Sequence, residues 1–481
     1  MEKVRTRFAP SPTGFMHLGG LRTALYSYLY AKQHGGDFIL RIEDTDQERF
    51  VEGAIDVIYS SLKESGLTYD EGPDMGGNYG PYVQSERKAI YMEYAKKLVE
   101  LGGAYYCFCS KERLESLTDE NGNRKYDKHC LHLPAEEVKA RLEAGEPFVI
   151  RQNIPAEGKS SYDDLVYGTI TVDYSELEDN ILIKSDGMPT YNFANVVDDH
   201  LMKISHVVRG TEYLSSTPKY NLMYDAFGWE RPHYIHLPTI MKDATRKLSK
   251  RYGDANFDDF VNKGYLPQAI INYVALLGWS PKENIEKMSM QQMIELFSLD
   301  GVSKSPAIFD DAKLRWLNGE YLKEMTDEEF MKVAEPFFKK SKVYGKYDLL
   351  KLSALMKPRV EILSEIPDKI NFLEEFGEYD TQLFYHKKMK TDVELAKKVL
   401  PLIRDRIASV SDFTHDAVHD SLMALAAENG LKNGQILWPA RVALSGKDVT
   451  PGGAIELCCI LGKEESLRRI DYSIGLLEKN N

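Results

Sequence analysis

Apolar residues along this chain follow two different periods, and the change between them divides the sequence. Over residues 1–101, apolar runs of strand length alternate with stretches whose apolar residues recur every three or four positions. The pattern predicts a strand over 4–8 and a helix over 21–33 that Gly35-Gly36 closes. A second strand over 38–42 follows, then helices over 51–65 and 85–101. Such alternation implies a parallel sheet with right-handed crossovers. Residues 104–189 break the rhythm and read as an insertion, with short strands expected over 148–153, 168–172 and 180–185. Strand-like runs return at 191–197, 205–209 and 233–237, with a helix over 218–227 between the last two. Beyond about residue 245 the period is helical, at 266–277, 288–297 and 310–318. From Asp327 onward nearly everything reads as helix, with breaks near Gly345, Asp380 and 446–453. The expectation is an α/β body, an irregular insertion and an all-α C-terminal half.

Composition narrows the class of protein. The 481 residues leave room for about three domains at roughly 150 residues each. Hydrophobic residues make up 43% and charged residues 28%, as in ordinary globular proteins, and no apolar run approaches the roughly 18–20 residues that span a bilayer. Met1-Glu-Lys-Val-Arg5 leads straight into the first strand without a signal peptide's apolar segment. The five cysteines (107, 109, 130, 458 and 459) form no secreted disulfide framework, so a reducing cytoplasm is expected. The net charge of −13 does not favour nonspecific nucleic-acid binding, although an acidic body can carry a basic face.

Candidate chemistry begins at Arg7-Phe-Ala-Pro-Ser-Pro-Thr-Gly-Phe-Met-His-Leu-Gly-Gly20. A Pro/Gly-rich turn between a strand and a helix N-terminus aims backbone N–H groups and a positive dipole end at one spot, which suits a phosphate. Gly14, Gly19 and Gly20 let a ligand approach the backbone, and His17 can donate to a phosphate oxygen. Ser11 and Thr13 could cap the turn or touch the ligand. No Gly-Lys-Ser/Thr follows, so this is not a Walker loop. Far downstream, Lys247-Leu-Ser-Lys-Arg251 places two lysines three residues apart, able to bracket a polyphosphate, with Leu248 available to a base. Together these parts describe a nucleotidyl-transfer site.

Two further clusters carry chemistry. Arg41-Ile-Glu-Asp-Thr-Asp46 follows the second strand, where open α/β sheets bind ligands. Glu43, Asp44 and Asp46 beside Arg41 could hold an ammonium group and fix the loop; a solvated, helix-capping turn is the alternative. Cys107-Phe-Cys109 and Cys130-Leu-His132 form a C-x-C…C-x-H set whose three sulfurs and one imidazole suit a closed, structural zinc site. His129 competes as the fourth ligand. Cys458-Cys459 lie in an apolar helical run and read as packing residues.

Residues 5–20, 37–54, 72–87, 189–200, 207–219, 247–251, 303–321 and 435–470 resemble bacterial glutamyl-tRNA synthetases, of the class I aminoacyl-tRNA synthetases. His17-Leu-Gly-Gly20 stands where the class has His-Ile-Gly-His, and Lys247-Leu-Ser-Lys-Arg251 stands for Lys-Met-Ser-Lys-Ser. The resemblance implies a Rossmann-like parallel-sheet catalytic domain (1–101 and 190–244), with an inserted α+β acceptor-stem-binding domain carrying the zinc site (102–189). It implies a stem-contact helical domain with the lysine loop (245–326), and then an all-α anticodon-binding part (327–481).

The resemblance further implies ligation of L-glutamate to the 3′ end of tRNA(Glu) through a glutamyl adenylate, with ATP and Mg²⁺ as the substrate complex and Zn²⁺ as a structural ion. On it, His17, Lys247 and Lys250 serve catalysis. Arg7, Ser11, Glu43, Tyr191, Asn195 and Arg209 hold glutamate, with Arg7, Tyr191 and Arg209 on its γ-carboxylate and Glu43 on its ammonium group. His17, Gly19, Gly20, Glu212, Lys247, Leu248 and Lys250 contact ATP, and Arg359 reads the third anticodon base. It also implies a cytoplasmic enzyme, expected as a monomer, with no membrane partner. Two other readings share part of the pattern. A nucleotidyltransferase acting on a small metabolite would not need the helical half or the cysteines. A noncatalytic RNA-binding regulator would have decayed phosphate loops, and these are intact.

Overall fold

Strand β1 (Arg5–Phe8) lies parallel to β2 (Asp37–Leu40), in register from Arg5 opposite Asp37 to Phe8 opposite Leu40. The helix Leu18–Gln33 makes the crossover. A computed structural model describes residues 3–46, 51–117, 126–248 and 256–479 of the chain. They fall into two units: Met1–Val261 with Pro267–Asp311, and Asn262–Leu266 with Ala312–Asn481.

In the first unit, β3 (Ala104–Cys107), β4 (Val149–Gln152) and β7 (Ile181–Ile183) form an antiparallel three-stranded sheet. Strands β5 (Lys159–Asp164) and β6 (Gly168–Asp173) form a hairpin. Strand β8 (His206–Gly210) runs parallel to β9 (His233–Leu237), and the hairpin joins β9 through one parallel pair, Asp164 opposite Tyr234. Part of the insertion thus extends the main sheet, giving the order β6-β5-β9-β8. The Ser205 N–H donates to Arg5 O at 3.0 Å, which sets β8 beside β1. Short β10 (Ile240–Met241) and β11 (Ala307–Ile308) pair in parallel. One apolar core joins Tyr91, Ile150, Leu182, Phe193, Val197 and Tyr220, so the three-stranded sheet packs on the helices Lys88–Glu100, Tyr191–Leu201 and Thr217–Phe227.

The parallel sheets, the insertion and the helical C-terminal half follow the sequence pattern, and two local expectations are corrected. Residues 191–197, expected as a strand, begin the helix Tyr191–Leu201. Its Phe193, Ala194, Val196 and Val197 are all fully buried, and apolar pairs in so short a segment fit a buried strand as readily as a buried helix. The first helix starts at Leu18 rather than at 21, because His17 is its N-cap, with Nδ1 accepting the Gly19 N–H at 3.0 Å. Strands β3 and β5 had no clear alternation and were not expected.

In the second unit the described residues form helices and short 3₁₀ turns without strands. Thr326 and Glu329 close a capping box at the start of Asp327–Phe338, and Gly446 ends Asn433–Ser445 in the left-handed conformation. The last helix, Ala454–Lys479, kinks at Gly462, whose φ of 78° lies outside the helical region. Among the described residues, no helix is long and apolar enough to cross a membrane.

The turn between the first helix and β2 passes directly over the start of β1. A Cβ on Gly36 would stand 2.1 Å from the backbone oxygen of Val4, whereas at Gly35 it would meet nothing. Gly36→Ala is therefore expected to cost on the order of 1–3 kcal/mol in urea denaturation, as over-packing does.

Candidate active site

Parallel strands deliver the loops that follow them to one edge of the sheet, where α/β folds take ligands. Here the segments after β1, β2 and β8 surround a cavity of about 500 Å³. The chain draws its own loops together: Arg41 N–H donates to Phe8 O and Glu43 N–H to Pro10 O, both at 3.0 Å.

Beneath the cavity lies a network of buried charges. Arg7, near the end of β1, donates from Nε and Nη2 to the two carboxylate oxygens of Asp199 at 3.0 and 3.3 Å. Arg41 is completely buried; it donates to Asp199 at 2.8 Å and to Glu43 Oε1 at 2.9 and 3.2 Å, and stands 3.7 Å from Asp198. Asp198 also accepts from Arg87, Gln84 and Tyr91. Burial alone would raise the Asp199 carboxyl, but the Arg7 and Arg41 guanidiniums outweigh it and hold the group below its ordinary value. Burial pushes the Glu43 carboxyl up, against the pull of Arg41. The Tyr191 phenol is pushed well above its usual value by burial, so it remains a donor.

Arg7, Ser11, Glu43, Tyr191 and Arg209 all line the cavity. Asn195 does not; its amide donates to Tyr191 O at 2.6 Å, one turn back along the helix. Among the nucleotide candidates, His17, Gly20 and Glu212 line the cavity and Gly19 does not. Gly19 serves the cap instead, since a Cβ there would lie 3.3 Å from His17 Nδ1. With Nδ1 accepting, a neutral His17 carries its ring proton on Nε2. Lys247 is exposed and Leu248 buried; neither lines the cavity, and Lys250 lies outside the described residues. Residues that sequence reasoning missed include Asp198 and Asp199. Tyr191, Asn195, Asp198 and Asp199 are spaced i, i+4, i+7, i+8, one helical face, a relation hidden while the segment was read as a strand.

The cysteine set assembles only in part. Ligand atoms of Cys107, Cys109 and Cys130 lie within 4.8 Å of one another, with Cys109 and Cys130 Sγ 3.5 Å apart. His132 is exposed and outside the group. The 3₁₀ turn His129–His132 buries Cys130, and at three residues per turn His132 faces elsewhere. The Tyr126 hydroxyl stands against the sulfurs instead, 3.3 Å from Cys107 and 3.5 Å from Cys109. Three sulfurs at this spacing fit a tetrahedral metal with bonds of about 2.3 Å. In the second unit, Arg359 donates to Leu355 O at 2.7 Å and lines a separate cavity of about 560 Å³ with Phe413 and His415.

Comparison with known proteins places the chain among the class I synthetases. Residues 3–316 match the family of tRNA synthetases class I (E and Q), catalytic domain, and residues 329–474 match an anticodon binding domain. Among the similar proteins, the glutamate–tRNA ligase of Clostridium botulinum is 59% identical over 99% of both chains, and that of Clostridium kluyveri 58% over the same share. A crystal structure of a glutamate tRNA ligase from Elizabethkingia meningosepticum, in complex with its amino acid, superposes with a TM-score of 0.89 at 38% identity, covering 98% of this chain and 99% of that one. The chain belongs to the glutamate–tRNA ligase family of class I synthetases.

The ion pairs of Asp199 make stability depend on pH. A carboxylate whose folded-state value is depressed stabilises the protein above its unfolded value, about pH 4, and loses that contribution as pH falls through the folded value. The stability gap between wild type and Asp199→Asn, followed by urea denaturation, should be widest near neutral pH and shrink below about pH 4. A gap independent of pH would remove Asp199 ionisation from the stability of the site.

Proposed function

We propose that the protein attaches L-glutamate to the terminal adenosine of tRNA(Glu), in the cytoplasm, by two displacements at the cavity above β1 and β8. The observation that carries this reading is one cavity lined both by Arg7, Glu43, Tyr191 and Arg209 and by His17 and Glu212. An amino acid with two carboxylates and one ammonium group finds opposite charges there, and a nucleotide finds a helix N-terminus.

In this reading the γ-carboxylate of glutamate meets Arg209, Arg7 and Tyr191, and the ammonium group meets Glu43. The α-carboxylate attacks the α-phosphate of ATP, forming glutamyl adenylate and releasing pyrophosphate. The tRNA hydroxyl then takes the acyl group and AMP leaves. No enzyme nucleophile takes part, and positioning and charge stabilisation do the catalysis. The His17 Nε2 proton serves a phosphate oxygen, Lys247 and Lys250 hold the polyphosphate as mobile point charges, and magnesium enters bound to ATP. Cys107, Cys109 and Cys130 hold a structural zinc, with the Tyr126 hydroxyl against two of the sulfurs. Arg359 and its cavity read the anticodon, where flipped bases stack and bond.

Charging assays with purified glutamate and glutamine tRNAs test the reading directly: labelled glutamate should become acid-precipitable on the glutamate tRNA, and failure with both tRNAs would reject it. Lys250→Ala should depress ATP–pyrophosphate exchange, measured with tRNA present, far more than it raises the KM for glutamate; unchanged exchange would take the loop out of the mechanism. Metal analysis should find about one zinc per chain, falling to background in Cys130→Ser. A fully active protein without metal would dismiss the site.

A further inference from the structure

Two arginines reach the proposed glutamate pocket, and the fold holds them in different ways. Arg7 is ion-paired through Asp199. Arg209, on β8, is buried and has no carboxylate partner among the described residues. Its Nη2 donates to the Thr217 hydroxyl at 2.6 Å, and its Nε donates to His236 Nε2 at 3.1 Å. The rings of Tyr213, Tyr220 and Tyr234 stand 4.8–5.2 Å from its guanidinium carbon.

An imidazole nitrogen that accepts from arginine bears no proton, so the His236 proton must sit on Nδ1. Nδ1 lies 2.7 Å from Asp164 Oδ2, which also accepts the His236 backbone N–H at 3.1 Å. The other oxygen, Oδ1, accepts the N–H groups of Val166 and Tyr167 at 2.9 and 2.8 Å. His236 and Asp164 are both buried, at the ends of β9 and β5 that pair through Asp164 and Tyr234. Burial, against the pull of Asp164, lowers the His236 value, in keeping with a neutral ring.

We infer that Asp164 and His236 are positioning residues that fix the tautomer and direction needed to aim Arg209 while leaving its positive charge for the substrate carboxylate. A carboxylate placed directly on Arg209 would aim it equally well and cancel much of its charge. A neutral imbalance of this kind, with the imidazole between anion and cation, gives direction without neutralisation. The side-chain selectivity of the pocket follows from it: an uncompensated guanidinium discriminates a carboxylate from the isosteric amide of glutamine. The inference rests on the reading above that Arg209 receives the γ-carboxylate.

The test is tRNA charging by the full-length enzyme with glutamate and ATP varied separately. His236→Leu removes the acceptor, whereas His236→Gln keeps an oxygen that can accept from Arg209. His236→Leu should raise the KM for glutamate about 10- to 100-fold, the scale of a lost hydrogen bond to a charged group, with the KM for ATP within about 2-fold. His236→Gln should recover most of the loss, and preference for glutamate over glutamine should fall in the Leu variant. A glutamate KM within 2-fold of wild type in His236→Leu, or equal damage in the Gln and Leu variants, overturns the inference. If His236→Leu does not fold, Asp164→Asn provides the comparison, with the same split between glutamate and ATP expected and an unsplit loss overturning it. Arg209→Ala separates the two levels: if it leaves the glutamate KM unchanged, the pocket assignment fails, and if it raises it while the His236 variants do not, only the positioning role fails.

Discussion

Burial of Arg41 is the constraint on which the first unit's site depends. A guanidinium with no exposed surface must be matched inside the protein, because removing an ion from water costs several kcal/mol that only close opposite charges offset. Arg41 takes its partners from two chain segments, Glu43 two residues on and Asp198 with Asp199 on the helix Tyr191–Leu201. Those carboxylates in turn bind Arg7 of β1 and Arg87 beside the helix Lys88–Glu100. Three guanidiniums and three carboxylates therefore close on one another, and the edges of the cavity after β1 and β2 are tied through them to the helix Tyr191–Leu201. A network of this kind is worth more for direction than for stability, since an apolar core of equal volume would often be as stable. On the proposed reading its use is to hold Glu43 and Arg7 in place before any substrate arrives.

The network also makes the two pocket arginines unequal. Much of the charge on Arg7 is answered by Asp199, whose carboxyl Arg7 and Arg41 together hold in its ionised form. Arg209 meets tyrosine faces, a hydroxyl and a neutral imidazole, none of which cancels its charge. On the proposed reading, Arg7 shapes the pocket and Arg209 supplies its field. Equal distances from a substrate carboxylate would then conceal unequal contributions to binding.

Most of the cavity's rim could be read from the sequence because its residues sit in local strings. Arg7 to Gly20 is one continuous stretch from the end of β1 into the first helix, and Arg41 to Glu43 is another short string after β2. What escaped were the residues whose meaning depends on folding. Asp199 matters because a helix carries it back over β1, and the segment that leads to it was read as a strand. His236 and Asp164 come together only because the hairpin of the insertion adds to the main sheet, a pairing of residues 72 positions apart. The doublet spacing of Cys107, Cys109, Cys130 and His132 looked symmetrical, yet only the three sulfurs come together, with the Tyr126 hydroxyl against them and His132 exposed on the 3₁₀ turn. Spacing along the chain pointed to the sulfurs, while the side of the turn on which His132 stands depends on how that turn is wound.

The supports of the two proposed substrates differ in stiffness, and the difference has a chemical reason. Arg7 and Arg209 stand on parallel strands and Tyr191 opens a buried helix, so the groups offered to the γ-carboxylate are fixed by the core. Those offered to the nucleotide stand on turns: His17 at a helix cap, Glu212 in a 3₁₀ turn, and Lys247 exposed on a loop. Recognition of one side chain against a near-isostere needs donors placed within about 0.5 Å, which rigid elements provide. A polyphosphate that changes charge and shape during reaction is better served by flexible ammonium groups that can follow it. On the proposed reading the same sheet edge can therefore be selective toward the amino-acid side chain and permissive toward the moving phosphates, because strands and a helix hold the γ-carboxylate groups and turns hold the nucleotide groups.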